Sequence, residues 1–244
     1  MSQTRPFYAD HAEAYDLLVT GPVEPWVAAV HDRLLLSGWS SAVVLDAGCG
    51  TGRHAAALAA KGHRVDLADA SPRLLAQAAS RNPGARALHV DLCLLPVSTR
   101  YQAVMCRGVL NDMTTDAERD AVLRAFAGVL SDDGVLLLDV REREASRRRA
   151  DGFPRHRTVD LGDRGVLQFT STVTWRAGLL HVAEDYELRL PGSRADRRLS
   201  EFVMRPWSAL ELRTRLAAAG FGDVDIGPGV GRATGDRLFA VARR

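Results

Sequence analysis

From Val43 to Val140 short apolar runs alternate with longer stretches whose apolar positions recur at helical spacing. That βαβα pattern builds a parallel sheet covered by helices on both faces. The first run, Ala42 to Leu45, ends in Asp46-Ala47-Gly48-Cys49-Gly50-Thr51-Gly52, and Ala55, Ala56, Leu58 and Ala59 then keep helical spacing until Gly62 caps them. Arg64 to Ala68 predicts a second strand. Ser71-Pro72 predicts a helix start, with the hydroxyl as N-cap, proline at the first helical position, and Leu74, Leu75 and Ala78 as the buried stripe. Asn82-Pro83-Gly84 breaks that helix. Further strands fall at Ala87 to Val90, Tyr101 to Cys106 and, after the Asp132-Asp133-Gly134 turn, Val135 to Val140, with an amphipathic helix over Asp116 to Leu130.

The pattern then changes. Leu167 to Val173 and His181 to Leu190 alternate with period two on either side of Arg176-Ala177-Gly178, which predicts antiparallel strands rather than another crossover. Ser208 opens a helix reaching Ala219 and capped by Gly220, and strands near Val224 to Ile226 and Leu238 to Val241 close the chain. The expected fold is α/β and doubly wound: a mostly parallel seven-stranded sheet with an antiparallel β-insertion after strand 5, its strands between roughly Thr158 and Pro206.

Composition narrows the class. The 244 residues are 46% hydrophobic and 25% charged, which excludes disorder and coiled coil. The 32 basic residues nearly cancel the 30 acidic ones, so a net charge of +2 implies no whole-surface attraction to nucleic acid or anionic lipid. The charge run Arg141 to Arg149 reads as a solvated helix or loop. Cys49, Cys93 and Cys106 lack Cys-x-x-Cys spacing, so neither a disulfide framework nor a zinc knuckle is expected, and a reducing cytoplasm fits. Met1 to Asp16 has no apolar signal-peptide core, and no run of about 18 apolar residues offers a membrane span. The seven histidines show no metal-ligand spacing.

Candidate chemistry concentrates at Asp46 to Gly52. A strand ending in Gly-x-Gly-x-Gly and feeding a helix turns sharply and approaches a ligand with no Cβ in the way. The dinucleotide fingerprint would need a third glycine where Arg53 stands, and no Gly-Lys-Ser/Thr follows for a P-loop. An acidic residue at the end of the second strand can accept from both ribose hydroxyls, and Asp69, 21 positions after Gly48, has that spacing; Asp66, three residues upstream, is its rival.

Val43 to Gly52 resembles the first motif of the class I S-adenosylmethionine-dependent methyltransferases. The likeness in element order runs from about Phe7 to the C-terminus, with the specific motifs between positions 43 and 112. The fold so implied is Rossmann-like: a helical lid over 1–40, a cofactor-binding core over 41–140, the insertion over 141–206 as substrate or dimer region, and the closing helix and strands over 207–244. The resemblance implies that Ala47, Gly48, Gly50 and Gly52 hold the methionine part of the cofactor, that Asp46 orders the loop and its water contacts, and that Asp69 with Ala70 meets the ribose. Val90 to Pro96 resembles the adenine motif, implying contacts from Asp91 and Leu92, although an aspartate there also caps turns. Backbone at Cys106 and Arg107 would meet the amino-acid end, Cys106 itself being a small buried residue. Asn111 and Asp112 either face the acceptor or cap the next helix. The Asn/Asp-Pro-Pro-Tyr/Phe tetrad of nucleobase and release-factor methylation is absent.

Phe7 to Asp10 and Glu13 to Asp16 resemble the N-terminal helices that many small-molecule methyltransferases fold over the cofactor. Tyr8 and Tyr15 are lid candidates because aromatic faces suit a sulfonium, plain packing being the alternative. His11, Arg107, Asn111 and Asp112 are the catalytic candidates. The expected activity is methyl transfer from S-adenosylmethionine, leaving S-adenosylhomocysteine, to nitrogen or oxygen of a small natural-product acceptor. Aminosugar N-methyltransferases resemble this chain in having such a β-insertion, which implies a homodimer through it. Two alternatives stay open: a non-methylating S-adenosylmethionine-binding enzyme such as a cyclase, and a protein or RNA methyltransferase. The lack of a basic appended domain counts against RNA.

Overall fold

The computed structural model describes residues 16, 18, 21–232 and 234–244. The short apolar runs become strands β1 (Val43–Ala47), β2 (Arg64–Asp69), β3 (Ala87–His89), β4 (Tyr101–Arg107) and β5 (Leu130–Arg141), which pair in parallel in the order β5-β4-β1-β2-β3. Two more strands, β10 (Val224–Pro228) and β11 (Arg237–Arg243), extend the β5 edge antiparallel and complete seven. Successive residues of one strand serve opposite cores, as a doubly covered sheet requires. Leu45 packs in the cluster with Phe126 and Leu123, whereas Val44 packs in the one with Trp26 and Leu58.

Helices α1 (Glu24–Leu36), α2 (Arg53–Ala59) and α3 (Pro72–Arg81) precede α4 (Asp116–Val129), α5 (Arg143–Arg149) and α6 (Ala209–Ala218). Caps set several of their starts: Ser71 accepts from the Leu74 amide, Ser208 from Glu211, and Thr115 and Glu118 form a capping box. The region expected as a lid includes α1, but its Trp26, Val27, Val30 and Leu34 are fully buried, because they fill the groove beneath β1 and β4. The charge run begins with Arg141 at the end of β5 and continues as α5, in which only Ser146 is buried.

Between α5 and α6 four antiparallel strands form a second sheet: β6 (Arg155–Asp160), β7 (Val166–Arg176), β8 (Leu179–Arg189) and β9 (Asp196–Met204). The β7–β8 hairpin turns at Ala177 and Gly178, both with positive φ, the twist a two-residue hairpin needs. Sequence periodicity shows β7 and β8 but not β6, which is polar and mostly exposed, nor β9.

Buried polar bonds tie the exit of this insertion to the main sheet. The Trp207 amide donates to the Arg141 carbonyl, the Arg143 amide donates to the Trp207 carbonyl, and the Trp207 indole donates to the Leu110 carbonyl. Arg119 of α4, fully buried, stacks on the Trp207 ring at 3.8 Å, donates to the carbonyls of Met113, Arg205 and Pro206, and pairs with Glu211. The insertion is thereby fixed beside the carboxyl ends of β4 and β5, where open α/β sheets bind ligands.

Candidate active site

The loop after β1 is tied to the end of β2. The amides of Gly48 and Cys49 both donate to the Ala68 carbonyl, and the Gly50 amide donates to Asp69 Oδ2. Those hydrogens are therefore spent inside the protein and cradle no phosphate, which removes the usual use of a glycine-rich turn. Each glycine answers a different need. Gly48, at φ +76°, passes under Val109, whose Cγ2 would lie 2.3 Å from an added Cβ. Gly50, at φ +55°, has open space around it and lines the cavity, while Gly52 lets α2 approach Ala78 and Asn82 of the α3 end. Gly52 and Ala47 do not line the cavity, and Ala47 is buried in the core.

Asp69 is oriented before any ligand arrives. Oδ2 accepts from Gly50 and Oδ1 from the Ser71 amide, each at 2.8 Å, so each oxygen keeps a lone pair, and Asp69 lines the cavity with Ala70. Burial pushes its pKa up and the amides of Ser71 and Gly50 pull it back. The rival, Asp66, is buried within the sheet and accepts from the Tyr101 hydroxyl at 3.1 Å. Asp46 is buried with Oδ2 unpartnered; burial raises its carboxyl to about 7, with the charge of Asp69 adding and Arg107 opposing. Farther along, Asp91 caps a short 3₁₀ turn through the Cys93 amide, and with Leu92 and His89 it also lines the cavity, so capping and ligand contact coexist there.

At the end of β4 the candidates separate. Arg107 lines the cavity, and its guanidinium donates to His54 of α2 and to the Gly231 carbonyl and lies 5.6 Å from the Trp26 ring of α1. His54 stays neutral, its pKa lowered to about 3 by burial first and by Arg107 second. Asn111 is fully buried and spends its amide on backbone, donating to Gly108 and accepting from Arg141, so it clasps β4 to β5. Asp112, next in chain, does line the cavity. Cys106 is fully buried and desolvation pushes its thiol well above the ordinary range, so it offers no nucleophile. Tyr8, His11 and Tyr15 lie outside the described residues. Asp16 is described: it accepts from the Thr51 hydroxyl and from Arg81, at the glycine loop.

The wall facing the loop is the insertion. Leu180, Val182, Glu184, Tyr186 and Leu188 share one face of β8, which is apolar except for a carboxylate and a phenol. Glu184 is 9% exposed, lines the cavity with Ser171, Val182 and Phe202, and accepts the Tyr186 hydroxyl at 2.5 Å. Sequence reasoning missed it, yet a signal existed: Glu184 falls in the apolar phase of an alternating strand, where a charge needs a reason.

Together these walls enclose a cavity of about 850 Å³. A fixed aspartate for a diol, and a second aspartate with backbone for a purine edge, form a donor set that suits S-adenosylmethionine, whereas the buried Asp46 does not line the cavity. Among the described residues no cluster of three metal-ligating side chains occurs, and no helix is long and apolar enough to cross a membrane.

Residues 44–134 match the model of the methyltransferase domain family. The chain is 34% identical over 171 residues to the cypemycin N-terminal methyltransferase of a Streptomyces species, covering 68% of each. It is 33% identical over 132 residues to the dTDP-3-amino-3,6-dideoxy-α-D-glucopyranose N,N-dimethyltransferase of Streptomyces fradiae, and that match spans about half of each chain, 52%. In fold it is similar to the amino pentose methyltransferase of Micromonospora echinaspora, solved with S-adenosylmethionine bound: TM-score 0.79 at 24% identity, covering 99% of this chain and 100% of that one.

Proposed function

The chain belongs to the S-adenosylmethionine-dependent methyltransferases, and on that premise we propose that it methylates a small natural-product molecule at nitrogen or oxygen, an amine fitting best. The observation that carries the preference is Glu184, a buried carboxylate facing the cavity from the insertion. Bound S-adenosylmethionine supplies a methyl group activated by its sulfonium. The residues that would hold it are Gly48 and Gly50 with Asp46 at the amino-acid end, Asp69 and Ala70 at the ribose, and Asp91 with Leu92 at the adenine. An amine acceptor arrives as an ammonium, whose nitrogen has no lone pair to attack with. Glu184 accepts one of its protons, leaving a neutral amine and a carboxylic acid hydrogen-bonded by Tyr186. Asp112, across the cavity, anchors the remaining N–H bonds. The rest of the protein's contribution is to hold that nitrogen in line and to exclude water, which supplies most of the acceleration.

Asn111 then acts by positioning β4 against β5, Tyr8 and Tyr15 remain the aromatic candidates for the sulfonium, and His11 remains a candidate base. Relatives support an amine acceptor, since one is an aminosugar N,N-dimethyltransferase and another an N-terminal methyltransferase. A homodimer through the outer face of the insertion completes the reading, and light scattering at micromolar concentration tests it: a monomer rejects the dimer. The activity is tested by incubating the protein with methyl-labelled S-adenosylmethionine and a panel of aminosugars, peptides and their hydroxyl counterparts. Label transferred to amines in preference to hydroxyls is expected; tight cofactor binding without transfer to any acceptor, but with conversion of a polyene, would instead make the protein a cyclase.

A further inference from the structure

One part of the cavity wall, from outside the insertion, is basic. Arg107, Arg141, Arg232 and Arg237 all line it, reaching in from the end of β4, the end of β5 and the segment that enters β11. Two carboxylates meet them: Asp139 accepts from Arg237 at 2.9 Å and Asp236 from Arg141 at 2.6 Å. Asp46 adds less than a full negative charge near neutrality, because burial raises its carboxyl to about 7. The partners of Arg107, the neutral His54 and the Gly231 carbonyl, add none. Arg232 makes no hydrogen bond or ion pair among the described residues, and its Nε is buried without a partner. Arg53 and Arg149 stand nearby and add positive charge.

The convergence has a focus. A Cβ on Gly108 would lie 3.4 Å from Arg232 Nη2, 3.6 Å from Arg237 Nη1 and 4.0 Å from Asp139 Oδ1, so two guanidinium forks meet over the one residue at that strand end without a side chain. Burial and mutual repulsion pull Arg107 down to about 10 and Arg237 to about 9. Holding like charges together at low solvation costs folding energy, and an anion relieves it. Guanidinium forks match the oxygen pairs of carboxylate and phosphate.

We propose that Arg232 and Arg237, backed by Arg141, form a subsite for an anionic group of the acceptor, a phosphate or a carboxylate. The proposal rests on the methyltransferase reading and sharpens its substrate class. The acceptor is an amine that carries an acid at its other end, the amine lying against Glu184 and the acid against the arginines.

Calorimetry on the intact protein saturated with S-adenosylhomocysteine tests this, with inorganic pyrophosphate as probe. Wild type binds it with an affinity that falls as salt rises. Arg232→Gln weakens binding at least tenfold, Arg232→Lys restores most of it, and Arg124→Gln, on the exposed side of α4, changes nothing. Arg232→Gln also melts at or above the wild-type temperature, because removing an uncompensated cation relieves repulsion; a merely structural arginine would lower it. No pyrophosphate binding, or equal binding by Arg232→Gln, overturns the subsite. So does binding that S-adenosylhomocysteine abolishes but 5′-methylthioadenosine, which lacks the amino-acid tail, does not, because the arginines then serve the cofactor's own carboxylate. If S-adenosylhomocysteine itself does not bind, the methyltransferase reading fails, and pyrophosphate binding by the free protein still decides the subsite.

Discussion

Two amide hydrogens hold Asp69, and that fixes what its loss should do. Asp69→Ala leaves the Gly50 and Ser71 amides and the ligand's diol without their acceptor, and stranded partners of this kind cost about 1 to 3 kcal/mol. Titration calorimetry with S-adenosylhomocysteine should show that loss of affinity; an unchanged constant refutes the ribose assignment. The glycines of the loop make a second, graded case. Gly50→Ala meets no neighbour and suffers only the left-handed backbone, about 1 to 2 kcal/mol. Gly48→Ala suffers the same and also drives a methyl into Val109, so its unfolding midpoint in urea should fall further than that of Gly50→Ala. Equal midpoints would mean Val109 yields freely. Glu184→Gln keeps shape and loses the proton acceptor: transfer to amines should drop at least tenfold at pH 7 and recover as pH rises toward the amine's own pKa, while S-adenosylhomocysteine affinity holds. A pH-independent loss would reduce Glu184 to a packing role.

Elements that carry their own period were legible from the sequence. The strands β1, β2 and β4, the caps at Ser71 and Ser208, and the loop with Asp69 at its measured spacing all depend on local chemistry, and the structure places them within a residue or two. What was hidden depends on partners far along the chain. Nothing near Asn111 announces that it clasps Arg141, and nothing near Arg119 announces a guanidinium buried against Trp207, 88 positions away. Gly52 reads as a ligand glycine from the loop motif alone; only the approach of α3 shows the packing need. Arg119 links α4, α6 and the exit of the insertion, so its removal tests whether the insertion is held by that joint. Arg119→Ala leaves Glu211 with Arg143, Arg205 and Arg215 but strands three carbonyls and the Trp207 face. Breaking a buried pair of this kind costs about 3 to 5 kcal/mol, and the melting temperature should fall by roughly 10 °C at the usual 2 to 4 °C per kcal/mol for a chain this long. A change under 2 °C would show that Trp207 alone carries the joint.

Across the whole molecule, three buried titrating groups give the stability opposing pH slopes. Asp46 binds its proton more tightly folded than unfolded, so its cost grows as pH rises from 3.8 to about 7. His54, lowered to about 3, runs the other way: its contribution is intact above 6.5 and drains away as pH falls toward 3. These two largely offset each other. A third sits at the opposite end of the sheet. His63 Nδ1 accepts from the Ala42 amide at 3.0 Å, so that nitrogen carries no hydrogen, and Nε2–H donates to His31 Nδ1 at 2.8 Å. A second proton on His63 would face the Ala42 N–H, and burial with His31 beside it lowers its pKa below 6.5. A depressed histidine adds stability that is full above 6.5 and lost as pH falls from there through the folded value. His63→Gln keeps an oxygen for Ala42 and cannot titrate. Urea midpoints at pH 7.5 and 5.5 should therefore show wild type losing more stability on acidification than His63→Gln does, by at most about 1.4 kcal/mol for each pH unit. The variant shares Asp46 and His54 with wild type, so their slopes cancel in the difference, and parallel losses in the two proteins would mean that the His31–His63 pair accepts its proton without cost.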